Sequence, residues 1–102
     1  MSVLMNFAIF PTDKGISVSQ DVVKIVRHIR RSEHPSQLTA MGTIIETETL
    51  QEALGVINDA YKILEEDSDR VYVTVNLDIR KGKKGRMEGK IRSIEDKLEG
   101  KD

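Results

Sequence analysis

Three stretches of this chain carry side chains whose types and spacing could bind a ligand. The first is Ser17-x-Ser19, two hydroxyls at the expected start of a helix, where free amides and hydroxyls together can hold a polar group. Simple helix capping is the competing use. The second is Met41-Gly-Thr-Ile-Ile-Glu46. On a strand starting at Thr43, Thr43 and Ile45 share one face while Ile44 and Glu46 share the other. A carboxylate among β-branched apolar residues could accept a hydrogen bond from an amine or face a cation; its plain alternative is an exposed strand-end acid. The third runs from Arg80 to Arg86, where Arg80, Lys81, Lys83, Lys84 and Arg86 put five basic side chains into seven positions loosened by two glycines. Such a loop can hold an anion, or it can stay solvated.

Other chemistries lack their parts. There is no cysteine, which excludes disulfides, thiolate metal sites and a cysteine nucleophile. His28 falls in a helical basic stripe with Lys24, Arg27 and Arg31, and His34 precedes Pro35, so the two histidines form no metal motif. No histidine is placed to activate Ser17 or Ser19, and neither a Walker motif nor GxGxxG is present. Glu46 as a general base would lack an electrophile or second acid, so an enzyme is not the expected reading. The formal charge is −1 with 32% charged residues, so no global field draws the chain to nucleic acid or anionic lipid. No apolar run approaches the ~20 residues of a membrane span, and the N-terminus does not read as a signal peptide. A cytoplasmic protein without cofactor or metal is expected.

The elements that position these residues are legible from periodicity. Arg70 to Arg80 alternates strictly: Val71, Val73, Val75, Leu77 and Ile79 against Tyr72, Thr74, Asn76 and Asp78. That marks a strand with an oily face needing helices over it and a polar face with unused hydrogen-bonding capacity. Ser2 to Phe10 alternates too, and its outward face is apolar enough for a central strand; Pro11 closes it. Ser17-Val-Ser-Gln20 fits a capping box, followed by a helical stripe from Val18 through Ile29 to about Ser32. Gln37 to Thr47 reads as two short strands bent at Gly42, and Thr49-Leu-Gln-Glu52 as a second capping box opening a helix. Met87, Ile91, Ile94 and Leu98 space a third amphipathic helix.

One domain over residues 1–102 follows, long enough to bury about two-thirds of its unfolded surface. The order strand, helix, strand pair, helix, strand is the α+β ferredoxin-like βαββαβ plan, an antiparallel sheet with two helices on one face, plus an extra C-terminal helix. The plan leaves the second face bare, with Leu4, Ala8, Phe10 and Tyr72 beside Asn6, Thr74 and Asn76, a patch that isolated domains seldom leave to water. Self-association through that face is expected, with a small-molecule site near it. RNA recognition on this fold stacks bases on central-strand aromatics, and here only Tyr72 and Phe10 are available.

At these stretches the chain resembles the small thiamine-binding protein family. The matching residues are Ser17-x-Ser19 with Val23, Met41-Gly42-Thr43-x-x-Glu46, Leu50 with Glu52, Ser68-Asp69-Arg70-Val71-Tyr72, Asp78 with Arg80, and Lys90-Ile-x-Ser93-Ile94. The resemblance implies non-catalytic binding of thiamine or its hydroxymethylpyrimidine part, in homodimers that pair into tetramers. Carried over, Ser17, Ser19, Thr43 and Glu46 become candidates for the pyrimidine's nitrogens and amino group. On the open sheet face Asn6 and Tyr72 are further ligand candidates, since a thiazolium cation would favour an acidic lip and an aromatic face such as Tyr72 or Phe10. Tyr61-Lys62 stands where many members have His-Glu. The alternative is a regulatory domain whose loop, through Arg80, Lys83, Lys84 and Arg86, docks an anionic metabolite or a partner protein.

Overall fold

The computed structural model describes residues 1–13, 19–82 and 84–100, with Ser19 described by its backbone alone. In chain order the elements are β1 (Ser2–Pro11), α1 (Ser19–Arg31), β2 (Ser36–Thr39), β3 (Gly42–Thr47), α2 (Leu50–Glu65), β4 (Val71–Arg80) and α3 (Arg86–Leu98). The strands form one antiparallel sheet in the order β2-β3-β1-β4. This is the βαββαβ plan with an added helix.

β1 lies between β3 and β4, as its apolar content predicts. Val3, Met5, Phe7 and Ile9 point to the helix side and are buried against Ile25 and Ile29 of α1 and Ala53, Ala60 and Leu64 of α2. Each fully buried aliphatic side chain there contributes about 1.5–3 kcal/mol. The register sets Phe7 opposite Thr43, Met5 opposite Ile45 and Val3 opposite Thr47, so these β3 residues share the helix-covered face. Thr49 caps α2: its hydroxyl oxygen accepts from the Glu52 amide at 3.1 Å, and the Glu52 carboxylate accepts from that hydroxyl at 3.1 Å, which gives the N-cap half of the expected capping box. Ser17, Val18 and the Ser19 side chain of the Ser17–Gln20 box lie outside the described residues.

Two expectations need correction. The oily face of β4 is not covered as predicted: Val73, Val75, Leu77 and Ile79 are 38–47% exposed, and only Val71 packs against the core. β4 is a sheet edge; α2 sits mainly over β1 and β3 and reaches β4 less, while α1 sits over β1 and β2. The second sheet face is not wholly bare either. The first turn of α3 covers the end holding Ser2, Glu46 and Asp78.

Candidate functional site

Thr43 lines a groove of about 290 Å³ between α1 and the β2–β3 hairpin. Its walls are apolar, with Phe10, Val22, Val26, Leu38 and Met41 among them. The hairpin turn is held locally: Thr39 Oγ1 donates to the Gly42 carbonyl at 2.9 Å and accepts from the Met41 amide at 3.2 Å. Gly42 is needed for close approach. A Cβ there would lie 2.8 Å from the Phe7 carbonyl oxygen and 3.0 Å from Asn6 Oδ1. Thr43 is 8% exposed, yet its hydroxyl has no hydrogen-bond partner among the described residues. A hydroxyl lining an apolar groove can both donate to and accept from a ligand heteroatom. Ser17 and the Ser19 side chain lie outside the described residues; the α1 backbone begins at Ser19.

Glu46 stands on the opposite face of β3 from Thr43, and its carboxylate has partners of its own. Oε2 accepts from the Ser2 hydroxyl at 2.7 Å and the Arg86 amide at 3.1 Å, and Oε1 accepts from the Met87 amide at 3.1 Å. These are the first two amides of α3. The N-cap position is Gly85, at φ 62° in the left-handed region, and it has no side chain to offer. A strand residue 40 positions away therefore caps the helix. Burial by itself would push the Glu46 carboxyl up. The Ser2 hydroxyl, the two amides and the Arg86 charge outweigh it and hold the group below its ordinary value.

Arg86 is buried at 5% exposure, far from the solvated loop its sequence context suggests. Its guanidinium donates to the Ser2 hydroxyl at 3.0 Å, to the Ser2 carbonyl at 2.9 Å and to the Asp78 carbonyl. It also pairs with Asp78 Oδ2 at 3.0 Å, which accepts from Lys90 Nζ at 2.6 Å. The Lys90 hydrogen bond first, then Arg86, holds the Asp78 carboxyl below the ordinary aspartate value. Asp78, Arg86 and Lys90 thus fasten α3 to the sheet. Arg80 and Lys84 are exposed and border a second cleft with Arg86, Lys90 and Ser93; Lys83 lies outside the described residues.

Asn6 faces the second side of the sheet, opposite Ile44 and Asn76. Tyr72 is there too, its ring 5.7 Å from that of Phe10 at a 42° tilt. The proposed constellation is therefore split. Thr43 belongs to the helix-side groove, whereas Glu46, Asn6 and Tyr72 belong to the other face. Glu46 also borders a cleft of about 440 Å³ with Glu33, His34, Glu48 and Glu52.

Sequence reasoning missed Ser2 and Asp13. Asp13 accepts from the Ser68 hydroxyl and from the Asp69 amide at 2.7 Å, joining the end of β1 to the turn before β4. The Ser68 bond first, then the Asp69 amide, lowers the Asp13 carboxyl from its ordinary value. Nothing local in the sequence pairs residues 55 positions apart.

The fold is that of a small α+β ferredoxin-like domain with an added C-terminal helix. The chain belongs to the thiamine-binding protein family, whose sequence model matches residues 5–95. It is 33% identical over 95 residues to the UPF0045 protein Mb1933 of Mycobacterium bovis, covering 93% of each chain. It is 33% identical over 92 residues to the UPF0045 protein MJ1052 of Methanocaldococcus jannaschii, covering 90% of this chain and 91% of that one. The crystal structure of MJ1052 superposes with a TM-score of 0.80 at 32% identity, over 91% of this chain and 95% of that one. A Bacillus cereus domain, DUF77, shares the fold at a TM-score of 0.77 and 23% identity, over 89% and 88% of the two chains. Among the described residues no helix is long and apolar enough to cross a membrane.

Proposed function

We propose that this protein binds thiamine or a related hydroxymethylpyrimidine without catalysing a reaction, as a cytoplasmic homo-oligomer built as a dimer of dimers. The observation that carries the reading is the unpartnered Thr43 hydroxyl on the apolar groove, in a chain of the thiamine-binding family. An aminopyrimidine is a flat ring with accepting nitrogens and a donating amine. Apolar walls suit its faces, and a hydroxyl that both donates and accepts suits its edge. Ser17 and Ser19, at the start of the helix forming one wall, are the proposed further partners. The polar side chains of Asn6 and Tyr72 serve the second face, where subunits meet. Glu46 acts through its hold on α3.

Self-association is supported by β4, an edge strand of ten residues with exposed Val73, Val75, Leu77 and Ile79. Such an edge invites pairing or cover. Light scattering is expected to give an oligomer at micromolar concentration, and a monomer would contradict it.

Calorimetry with thiamine, its pyrimidine alcohol and a nucleotide tests the ligand. Heat with the first two and none with the nucleotide is expected. Thr43→Val, which keeps shape and removes the hydroxyl, is expected to weaken pyrimidine binding about tenfold, the worth of one hydrogen bond. Unchanged affinity removes Thr43 from the site. The cleft bordered by Arg80, Lys84 and Lys90 supports the second reading, an anionic metabolite or partner protein, for which the nucleotide alone gives heat.

A further inference from the structure

The outer side of α1 carries an arginine-bordered groove that adjoins the Thr43 groove. Val22, Val23 and Val26 of α1 and Leu38 of β2 floor an open groove of about 420 Å³. Its border is Arg27, Arg30 and Arg31, none of which has a carboxylate partner among the described residues. Val23 and Leu38 are about half exposed. A row of unpaired guanidiniums beside exposed aliphatics asks for an amphipathic, acidic occupant.

The chain carries such an object. α3 is fastened at its first turn, and beyond it the apolar stripe runs out unburied, with Ile91 at 46%, Ile94 at 62% and Leu98 at 82% exposure. At 100° per residue, Ile91, Ile94 and Leu98 lie within one narrow stripe, and Glu88 and Glu95 line a single flank of it, with Arg92 at that flank's outer margin. Neither glutamate has a side-chain partner among the described residues. Lys90 and Lys97 fall on the other flank.

We infer that α3 of one copy docks in the α1–β2 groove of a second copy, its apolar stripe on Val22, Val23, Val26 and Leu38 and its acidic flank on the arginine row. The contact buries two exposed apolar surfaces that leave each other unsatisfied within one chain, and charge complementarity fixes which side of α3 meets which side of the groove. It does not involve the β4 edge, but Val22, Val26 and Leu38 also wall the Thr43 groove, so the docked helix would adjoin the ligand groove.

Charge exchange tests it. Molar mass by light scattering is measured for the full chain, for the double variant Arg27→Glu/Arg30→Glu, for Glu88→Arg/Glu95→Arg, and for their equimolar mixture. All four substituted residues are exposed, and circular dichroism checks that each variant stays folded. Each double variant alone is expected to weaken association roughly tenfold, and mixing is expected to restore it. Masses that do not fall in either variant, or that fall and are not recovered on mixing, overturn the contact. A wild-type chain that is monomeric at micromolar concentration overturns it as well. The masses are read without ligand and none of the four substituted residues lines the Thr43 groove, so failure of this contact and failure of the ligand reading are read separately.

Discussion

Glu46→Ala is expected to lower the melting temperature by roughly 10–15 °C, the equivalent of about 2–3 kcal/mol in a domain of this size. The substitution leaves the Arg86 and Met87 amides and the Ser2 hydroxyl without their acceptor at a nearly buried position. It also removes the negative charge that faces both a helix N-terminus and the Arg86 guanidinium. Gly85 offers no substitute cap, and apart from its first turn α3 presents mostly exposed residues, so the helix has little else to hold it. Hydrogen exchange localises the effect. Amides of α3 are expected to lose protection first while β1 and α2 keep theirs; equal protection in variant and wild type refutes the capping role.

Acid reproduces the same release. The folded-state carboxyl of Glu46 is held below its ordinary value of 4.5, so the unfolded chain takes up the proton more readily. The stabilisation is therefore fully present above about pH 4.5 and is lost as pH falls through the folded-state value. Asp78, lowered by Lys90 and Arg86, adds a loss of the same sign at the same helix. Thermal melts taken downward from neutral pH are expected to fall below about 4.5, and less so in Glu46→Ala. A wild-type curve parallel to that of the variant would deny Glu46 this part.

What the sequence could reveal here was local. Period-two alternation exposed β1 and β4, and Thr49 with Glu52 revealed the start of α2, because strand faces and caps are set by residues next to one another. The parity of Thr43 against Glu46 was equally legible, and it foretold their separation onto two faces even though the family resemblance grouped them. The cover on each face was not legible. Alternation in β4 marks which residues share a side, but not that α1 and α2 leave most of an edge strand uncovered. Arg86 read as one more basic loop residue because its partners, Ser2 and Asp78, come from two other strands. The groove beside Thr43 depends on how far the β2–β3 hairpin stands from α1, which no spacing encodes.

That groove rests on one glycine, and Gly42→Ala is expected to cost about 1–3 kcal/mol and to abolish most of the pyrimidine binding. The added methyl would sit 2.8 Å from the Phe7 carbonyl oxygen, a backbone atom of the central strand that cannot swing aside as a side chain could. Asn6 Oδ1, at 3.0 Å, closes the other direction. Relief requires β3 to move away from β1 just where Phe7 faces Thr43 across the ladder. Such a shift displaces the Thr43 hydroxyl relative to the α1 wall, and a ligand held by one or two directed hydrogen bonds loses them with small misplacements. Gly55→Ala is the control: a methyl there meets nothing within 4 Å, it lies inside α2, and alanine is the better helix former. Gly42→Ala is expected to melt earlier and to lose calorimetric heat, whereas Gly55→Ala melts at or slightly above wild type with full heat. Should Gly42→Ala bind thiamine as tightly as wild type, the ligand does not occupy the groove between α1 and the hairpin.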